Sequence, residues 1–396
     1  MATAVIVDAV RTAVGKRNGK LSGWHPVDLA AEVLDALARR SDLDPSLVDD
    51  VIMGCVTQVG DQALNIGRNA VLAAGWPESV PGVSVDRQGA SSQQAVHFAA
   101  QGVIAGAYDV VVAAGVECMS TTPVGSSVTP GSRPFGPRLM ERYAALGGLV
   151  PQGVAAETVA DRWSLTREDL DAFGARSQQR AERATNEHRF EREIAAVQGR
   201  VRDRDTGHLV LLGEDVTADE GVRPGATAEA LAALKPAFTP GGKVTAGNSA
   251  QISDGAAAVL IMSEERAVEL GLRPRARFHA FALAGVDPLT LLTGAIPATT
   301  RVLERAKLAV SDVDVFEINE VFASVVLAWA SEHHPDMDRV NPNGGAIALG
   351  HPVGCSGARL LTTLLHELER DGGRYGLQAM SEGGGLATAM VIERLG

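Results

Sequence analysis

The chain carries nine histidines, and one of them stands where an imidazole can do chemistry. His351 lies in the run Asn341-Pro342-Asn343-Gly344-Gly345-Ala346-Ile347-Ala348-Leu349-Gly350-His351-Pro352-Val353-Gly354-Cys355-Ser356-Gly357-Ala358-Arg359. Glycine at this density lets backbone wrap closely around a ligand, and loops held on a rigid scaffold tend to carry function. Ser356 then opens an apolar helix through Leu360, Leu361, Leu364 and Leu365. The chemistry offered is that of a general base; a satisfied structural histidine is the alternative. His97, His279 and His366 lack such a setting and read as structural or exposed.

Three further segments belong beside it. Asn319-Glu320-Val321-Phe322-Ala323 follows a strand over residues 313–318, and α/β sheets place their sites at the carboxyl ends of parallel strands. Asn319 can equally cap a helix. Ser381-Glu382-Gly383-Gly384-Gly385 is able to bring backbone N–H groups to a developing oxyanion, or is simply a turn between strands. Residues 244–256 form a loop of small side chains along which a long, thin ligand can lie close to backbone. None of these segments matches GxGxxG or GxxxxGK[ST], so a nucleotide-phosphate cradle is unsupported.

The elements that must position them follow from periodicity. Apolar runs at 4–10, 51–54, 83–85 and 108–115 read as strands, alternating with helices at Pro26–Ser41, 65–74 and 91–106. Such alternation predicts α/β layers around a largely parallel sheet. From about 119 to 243 the texture turns to Pro, Gly and charge. A capping box at Thr166-Arg167-Glu168-Asp169 starts one long helix there, with Leu170, Phe173 and Ala181 on its apolar side. Its charges, Arg176 through Arg192, read as a solvated face. Strand grammar resumes at 256–262 and 277–286. Residues 43–52 echo 308–317, and the helix–strand pair over 91–115 echoes 355–380 followed by 386–392, so a duplicated half-domain is expected.

Composition bounds the function. The 396 residues carry a formal charge of −12, with 45% hydrophobic and 21% charged residues. Net negative charge without a Lys/Arg block argues against nucleic acid or an anionic membrane as main partner. No apolar run reaches the ~18 residues of a spanning helix, and the start lacks the basic flank of a signal peptide. Three cysteines exclude a disulfide scaffold and fit a reducing compartment.

Taken together, these segments resemble the thiolase family of acetyl-CoA acyltransferases, most closely its degradative branch. The match runs from Val7-Asp8-Ala9-Val10-Arg11-Thr12 through Asp86-Arg87-Gln88, Ser91-Ser92-Gln93-Gln94-Ala95, Gly115-Val116-Glu117 and Leu234-Lys235-Pro236-Ala237-Phe238 to the GHP and GGG loops. The resemblance implies the thiolase fold: two similar α/β halves in a five-layered αβαβα core with an inserted loop domain. The halves would be 1–118 plus 250–271 and 272–396, with 119–249 as the insertion. It also implies a CoA or acyl-CoA ligand, no tightly bound cofactor and no metal. Arg223 would lie near the adenine end, with Ser249, Ala250 and Phe322 as further ligand contacts. In the family a Cys at a helix N-terminus takes the acyl group, the GHP histidine activates it, and a second Cys in a C-x-G loop moves protons. These positions fall on Gly89, His351 and Ser381. The resemblance further implies one oxyanion hole from the backbone N–H groups of Gly89 and Gly383, and another from His351 with Asn319 acting through a water.

Both family cysteines are therefore absent, and Cys55, Cys118 and Cys355 lie elsewhere. Gly89 offers no atom to attack a thioester, so covalent thiolysis is expected to be impaired or lost. Ser381 is a poor acid or base beside a thiol of pKa ~8.5. Departures at Gly89, Ala90, Ser381 and Ala250 point to natural divergence rather than a single inactivating change. Two other readings stand: a non-catalytic acyl-CoA-binding pseudothiolase that partners or regulates a β-oxidation enzyme, and a non-covalent retro-Claisen, decarboxylase or retro-aldol activity. A homodimer or homotetramer follows from the resemblance. A bacterial cytoplasm is expected from the excess of Arg over Lys and the lack of a peroxisomal terminus.

Overall fold

The computed structural model describes residues 2–203 and 205–396. The amino-terminal half begins with β1 (Ala4–Thr12), whose residues are all buried, and the short β2 (Gly15–Lys16). Helix α1 (Pro26–Ser41) follows, with proline in its first turn, where a missing N–H costs nothing. Then come β3 (Asp50–Gly54), α2 (Ile66–Ala73), β4 (Gly82–Val85), α3 (Ser91–Ala105) and β5 (Val110–Cys118). The segment with the changed texture holds α4 (Pro137–Ala144), α5 (Gln152–Arg162), α6 (Arg167–Asn186), β6 (Ile194–Ala195), the hairpin β7 (Val197–Arg202) and β8 (Leu209–Val216), and α7 (Ala228–Ala232). Strand β9 (Ser253–Ser263) and α8 (Glu264–Glu269) return to the first sheet. The carboxyl-terminal half is β10 (Ala276–Gly285), α9 (Ala295–Ala306), β11 (Val315–Ile318), α10 (Ala323–His333), α11 (Ala346–Leu349), α12 (Ser356–Asp371), β12 (Tyr375–Glu382) and β13 (Leu386–Arg394).

The expected duplication is present in the strand order. The main path runs β11-β12-β13-β10-β1-β9-β5-β3-β4. In one half β1 and β9, then β9 and β5, pair antiparallel, and β5 pairs with β3 in parallel. In the other half β10, β13, β12 and β11 repeat that order and those directions. The halves join at one edge through Val5↔Arg277 and Ile6↔Ala276, so the sheet is continuous across the molecule.

Layering follows from which faces are apolar. Helices α1 and α2 cover the outer face of the first half, α9 and α10 that of the second, and α3 packs against α12 between the sheets. This is the thiolase-type five-layered arrangement. Glycine permits the central packing: a Cβ at Gly357 would run into the backbone nitrogen of Gln93. The capping box at Thr166 and Asp169 forms as expected. The solvated face forms in part: Arg183, Glu187, Glu191 and Arg192 are exposed, while other arginines are covered. Arg176 and Arg180 donate to Met337 O, Arg180 also to Val340 O and Asn341 O, and Arg189 to Asn343 Oδ1. These arginines dock the inserted helix onto turns of the second half, and a one-sequence periodicity cannot show what covers a polar face.

Candidate active site

The loops singled out above converge on one cavity of about 480 Å³. Its wall includes Gly89, His351, Ser381 and Gly383, together with Ser249, Ala250 and Phe322. The helices of the central layer set this geometry, because Gly89 precedes α3 and His351 precedes α12.

Gly89 stands on a tight elbow. Gln88 before it is held at φ 49°, a left-handed conformation that costs a non-glycine residue of order 1 kcal/mol or more. Asp86 Oδ1 accepts from Gln88 N at 2.7 Å, while the Ser91 hydroxyl accepts from Arg87 N and donates to Gln88 O. Ser92 Oγ accepts from Ala358 N on the facing helix. Both serines are thus spent on structure, and neither is free to act as a nucleophile. A Cβ built on Gly89 would lie 3.2 Å from His351 Nε2 and 3.4 Å from Cε1, with nothing else within 4 Å. Position 89 therefore faces the imidazole and otherwise opens into the cavity.

Ser356 Oγ lies 2.6 Å from His351 Nδ1 and 3.0 Å from Pro352 O, a carbonyl that also accepts from Cys355 N and Ser356 N. With the hydroxyl proton on Pro352 O, Nδ1 carries the ring proton and Nε2 presents a lone pair toward position 89, 3.4 Å from Asn319 Nδ2. Burial, and after it the charge of Arg359, pushes the His351 pKa down to about 3, so the ring stays neutral. Asn319 does not cap a helix, since Phe322 takes that position for α10. Its neighbour Glu320 binds the loop in place, accepting from Ser177, Asn341 and Ile347 N.

The Ser381-to-Gly385 segment turns from β12 into β13. Ser381 Oγ accepts from Ala295 N at 2.8 Å. A Cβ on Gly383 would come within 3.1 Å of Gln88 Oε1, which places this turn against the elbow. Glu382 is buried, and one of its carboxyl oxygens has no partner. The other is 3.2 Å from the Thr388 hydroxyl, which also lies 2.8 Å from Gln93 Oε1. Thr388 has one proton to give, so the pair of contacts is best satisfied when Glu382 itself is protonated. Burial lifts its pKa to about 8, against the pull of Thr388 and Arg87.

Residues 4–265 match the sequence model of the thiolase N-terminal domain, and residues 272–394 that of the thiolase C-terminal domain. The chain belongs to the thiolase family. It is 48% identical over 403 residues to a steroid 3-ketoacyl-CoA thiolase of Mycobacterium tuberculosis, covering 100% of this chain and 95% of that protein. A 3-ketoacyl-CoA thiolase of Bacillus subtilis is 41% identical over 395 residues, covering 99% and 100%. The crystal structure of the Bacillus anthracis acetyl-CoA acetyltransferase superposes with a TM-score of 0.88 at 38% identity, covering 100% of this chain and 99% of that one.

Within this thiolase fold the cysteines lie apart from the cavity. No cysteine is among the described residues of its wall. Cys55, Cys118 and Cys355 are buried free thiols, and burial pushes all three pKa values up, that of Cys355 to about 12. Arg223 is exposed and absent from the wall. It is tied to the fold by its backbone N–H, which donates to Gln178. Several wall residues escaped the sequence reading. Gln88 and Glu382 lay inside quoted motifs but carried no signal of their own. Phe238 also lay inside a quoted motif, whereas Gln152 arrives from the inserted segment and nothing local marks it. Among the described residues no cluster of His, Cys, Asp and Glu fits a metal ion, and no helix is long and apolar enough to cross a membrane.

Proposed function

We propose that this thiolase-family chain binds a 3-ketoacyl-CoA or related acyl-CoA thioester in the cavity beside His351, and that it does not run covalent thiolysis. The observation that carries the reading is the face-to-face placement of Gly89 and His351 Nε2, 3.2 Å from a Cβ at position 89. An acyl-enzyme needs a nucleophilic atom at that point, and glycine has none. Ser381, tied to Ala295 N, does not substitute for the proton-shuttling thiol. Support for the ligand comes from the apolar wall of Phe238, Phe322 and Val321 and from the relatives named for CoA thioesters. A homodimer or homotetramer in a bacterial cytoplasm, Arg223 near the adenine, and unit boundaries at 118, 249 and 271 belong to the same reading.

The test is acetoacetyl-CoA with free CoA, followed by loss of the β-ketoacyl thioester absorbance, alongside calorimetric titration of acetyl-CoA. Binding without thiolysis is the expected result. Thiolysis at the turnover of ordinary enzymes, ~10 s⁻¹, would overturn it. Binding with no reaction in CoA or in water would instead assign the chain as a pseudothiolase.

A further inference from the structure

The intact base raises the question of what it acts on, and position 89 answers it. We infer that a water occupies the side-chain space at Gly89 and that His351 directs it onto the keto carbon of a 3-ketoacyl-CoA, making the site a retro-Claisen hydrolase. This rests on the proposed ligand above and adds the reaction.

Three observations on different residues converge. First, a side chain at 89 would meet only the His351 ring, so the volume a cysteine would fill is continuous with the cavity and borders Nε2. Second, the tautomer in which Ser356 donates to Pro352 O leaves Nε2 unprotonated, the form that accepts a proton from water. Third, Asn319 is 2% exposed and its Oδ1 has no partner, while its Nδ2 is 3.4 Å from Nε2. A water beside His351 can donate one proton to Nε2 and the other to this oxygen, and buried water needs two or more such partners. The cavity, at about 480 Å³, is of single-ligand size.

The step balances without another reactant. Nε2 takes a proton from water as its oxygen bonds to C3 of the ketoacyl chain, and the keto oxygen becomes an alkoxide. Collapse of the alkoxide breaks the C2–C3 bond. The electron pair passes to C2, held as the thioester enolate, and the imidazolium returns its proton to C2. One water is consumed, and the products are a carboxylic acid and acetyl-CoA.

The experiment incubates the purified chain with acetoacetyl-CoA in ¹⁸O-water without free CoA. Expected are acetyl-CoA and singly labelled acetate in equal amounts. Gly89 has no left-handed φ, so Gly89→Ala is accepted by the backbone; its methyl displaces the water and is expected to lower the rate about 100-fold. His351→Ala is expected to lose about 100-fold or more. Calorimetric binding of acetyl-CoA by each variant shows that it is folded and that the pocket persists. Binding with no acetate overturns the hydrolase and leaves the ligand reading standing; no binding at all overturns both. Label in acetoacetate with release of CoA thiol would mean attack at the thioester carbon and would overturn the C3 route. A Gly89→Ala variant as fast as the parent would remove the water from position 89.

Discussion

Glu117, near the end of β5, and Glu382, at the end of β12, occupy matching places in the two halves, yet their carboxylates are used in opposite ways. Glu117 accepts from Val56 N, Thr57 N, Gly354 N and the Gln62 side chain, at 2.7 to 3.1 Å. Glu382 meets one hydroxyl and keeps an oxygen without a partner. Burial raises the pKa of both, but the four donors around Glu117 oppose that shift and make it a structural clamp, whereas Glu382 is short of donors. Duplication thus supplied two equivalent strand ends, and their donor count separated scaffold from chemistry. The same division holds at the central helices. The loop entering α12 keeps its base and the tautomer that arms it, while the elbow entering α3 keeps its strain and its hydrogen bonds but presents Gly89.

The largest expected effect restores the elbow. Gly89→Cys combined with Ser381→Cys puts a thiol opposite His351 Nε2 and a second thiol on the facing turn. Thiolysis of acetoacetyl-CoA by free CoA should then rise by about 10³-fold or more, since a nucleophile and its base act as a unit. The CoA-dependent loss of substrate measures this. Failure in a folded, CoA-binding variant would mean that the second half alone does not hold a thiolase-competent base, with Ala90 and Ala250 the next positions to change.

Breaking the clamp comes next. Glu117→Gln turns an amide N–H toward backbone N–H groups of Val56, Thr57 or Gly354, leaving buried donors opposed. A loss of about 2–3 kcal/mol in urea unfolding is expected. Because Gly354 lies three residues beyond His351, ligand binding should weaken with stability. A neutral outcome would erase the distinction between the two carboxylates.

Much of this was legible in the sequence, and the exceptions share a physical cause. The strand–helix alternation and the echo between halves were read from local runs, whereas the meeting of Gly89, Asn319, His351 and Ser381 at one site came from the family resemblance. Arg223, which the resemblance places near the adenine end, has an exposed side chain and is not part of the cavity wall. The arginines of α6 looked solvated because a helical pattern tells which face is polar, not that carbonyls at 337–341 will cover it. Gln152 and Phe238 reach the cavity through the long insertion, and Glu382 owes its state to Thr388 and Gln93, on other elements. Tertiary approach of this kind has no periodicity to read.

The substitution with the smallest effect at pH 5 tests the titrating carboxylate through its pH dependence. Glu382 has a folded pKa of about 8 against 4.5 for the ordinary side chain. Between those values the folded chain keeps a proton that the unfolded chain has released, so stability is fully present below 4.5 and falls as pH rises toward 8. Each pH unit in that window costs about 1.4 kcal/mol for one such group. Glu317, lifted to about 8 chiefly by burial, adds a parallel slope. His97 and His351, both held near 3 chiefly by burial, act on the other side, and their stability is lost as pH falls from 6.5 toward 3. Glutamine mimics the protonated acid, so Glu382→Gln should change stability little at pH 5. It should remove one of the alkaline slopes, to which Glu117, Glu320 and Asp254, all raised chiefly by burial, also contribute, leaving the variant more stable than the parent near pH 8. Urea unfolding at pH 5, 6.5 and 8 measures the difference. Parallel curves for the two proteins would show that Glu382 is ionised throughout.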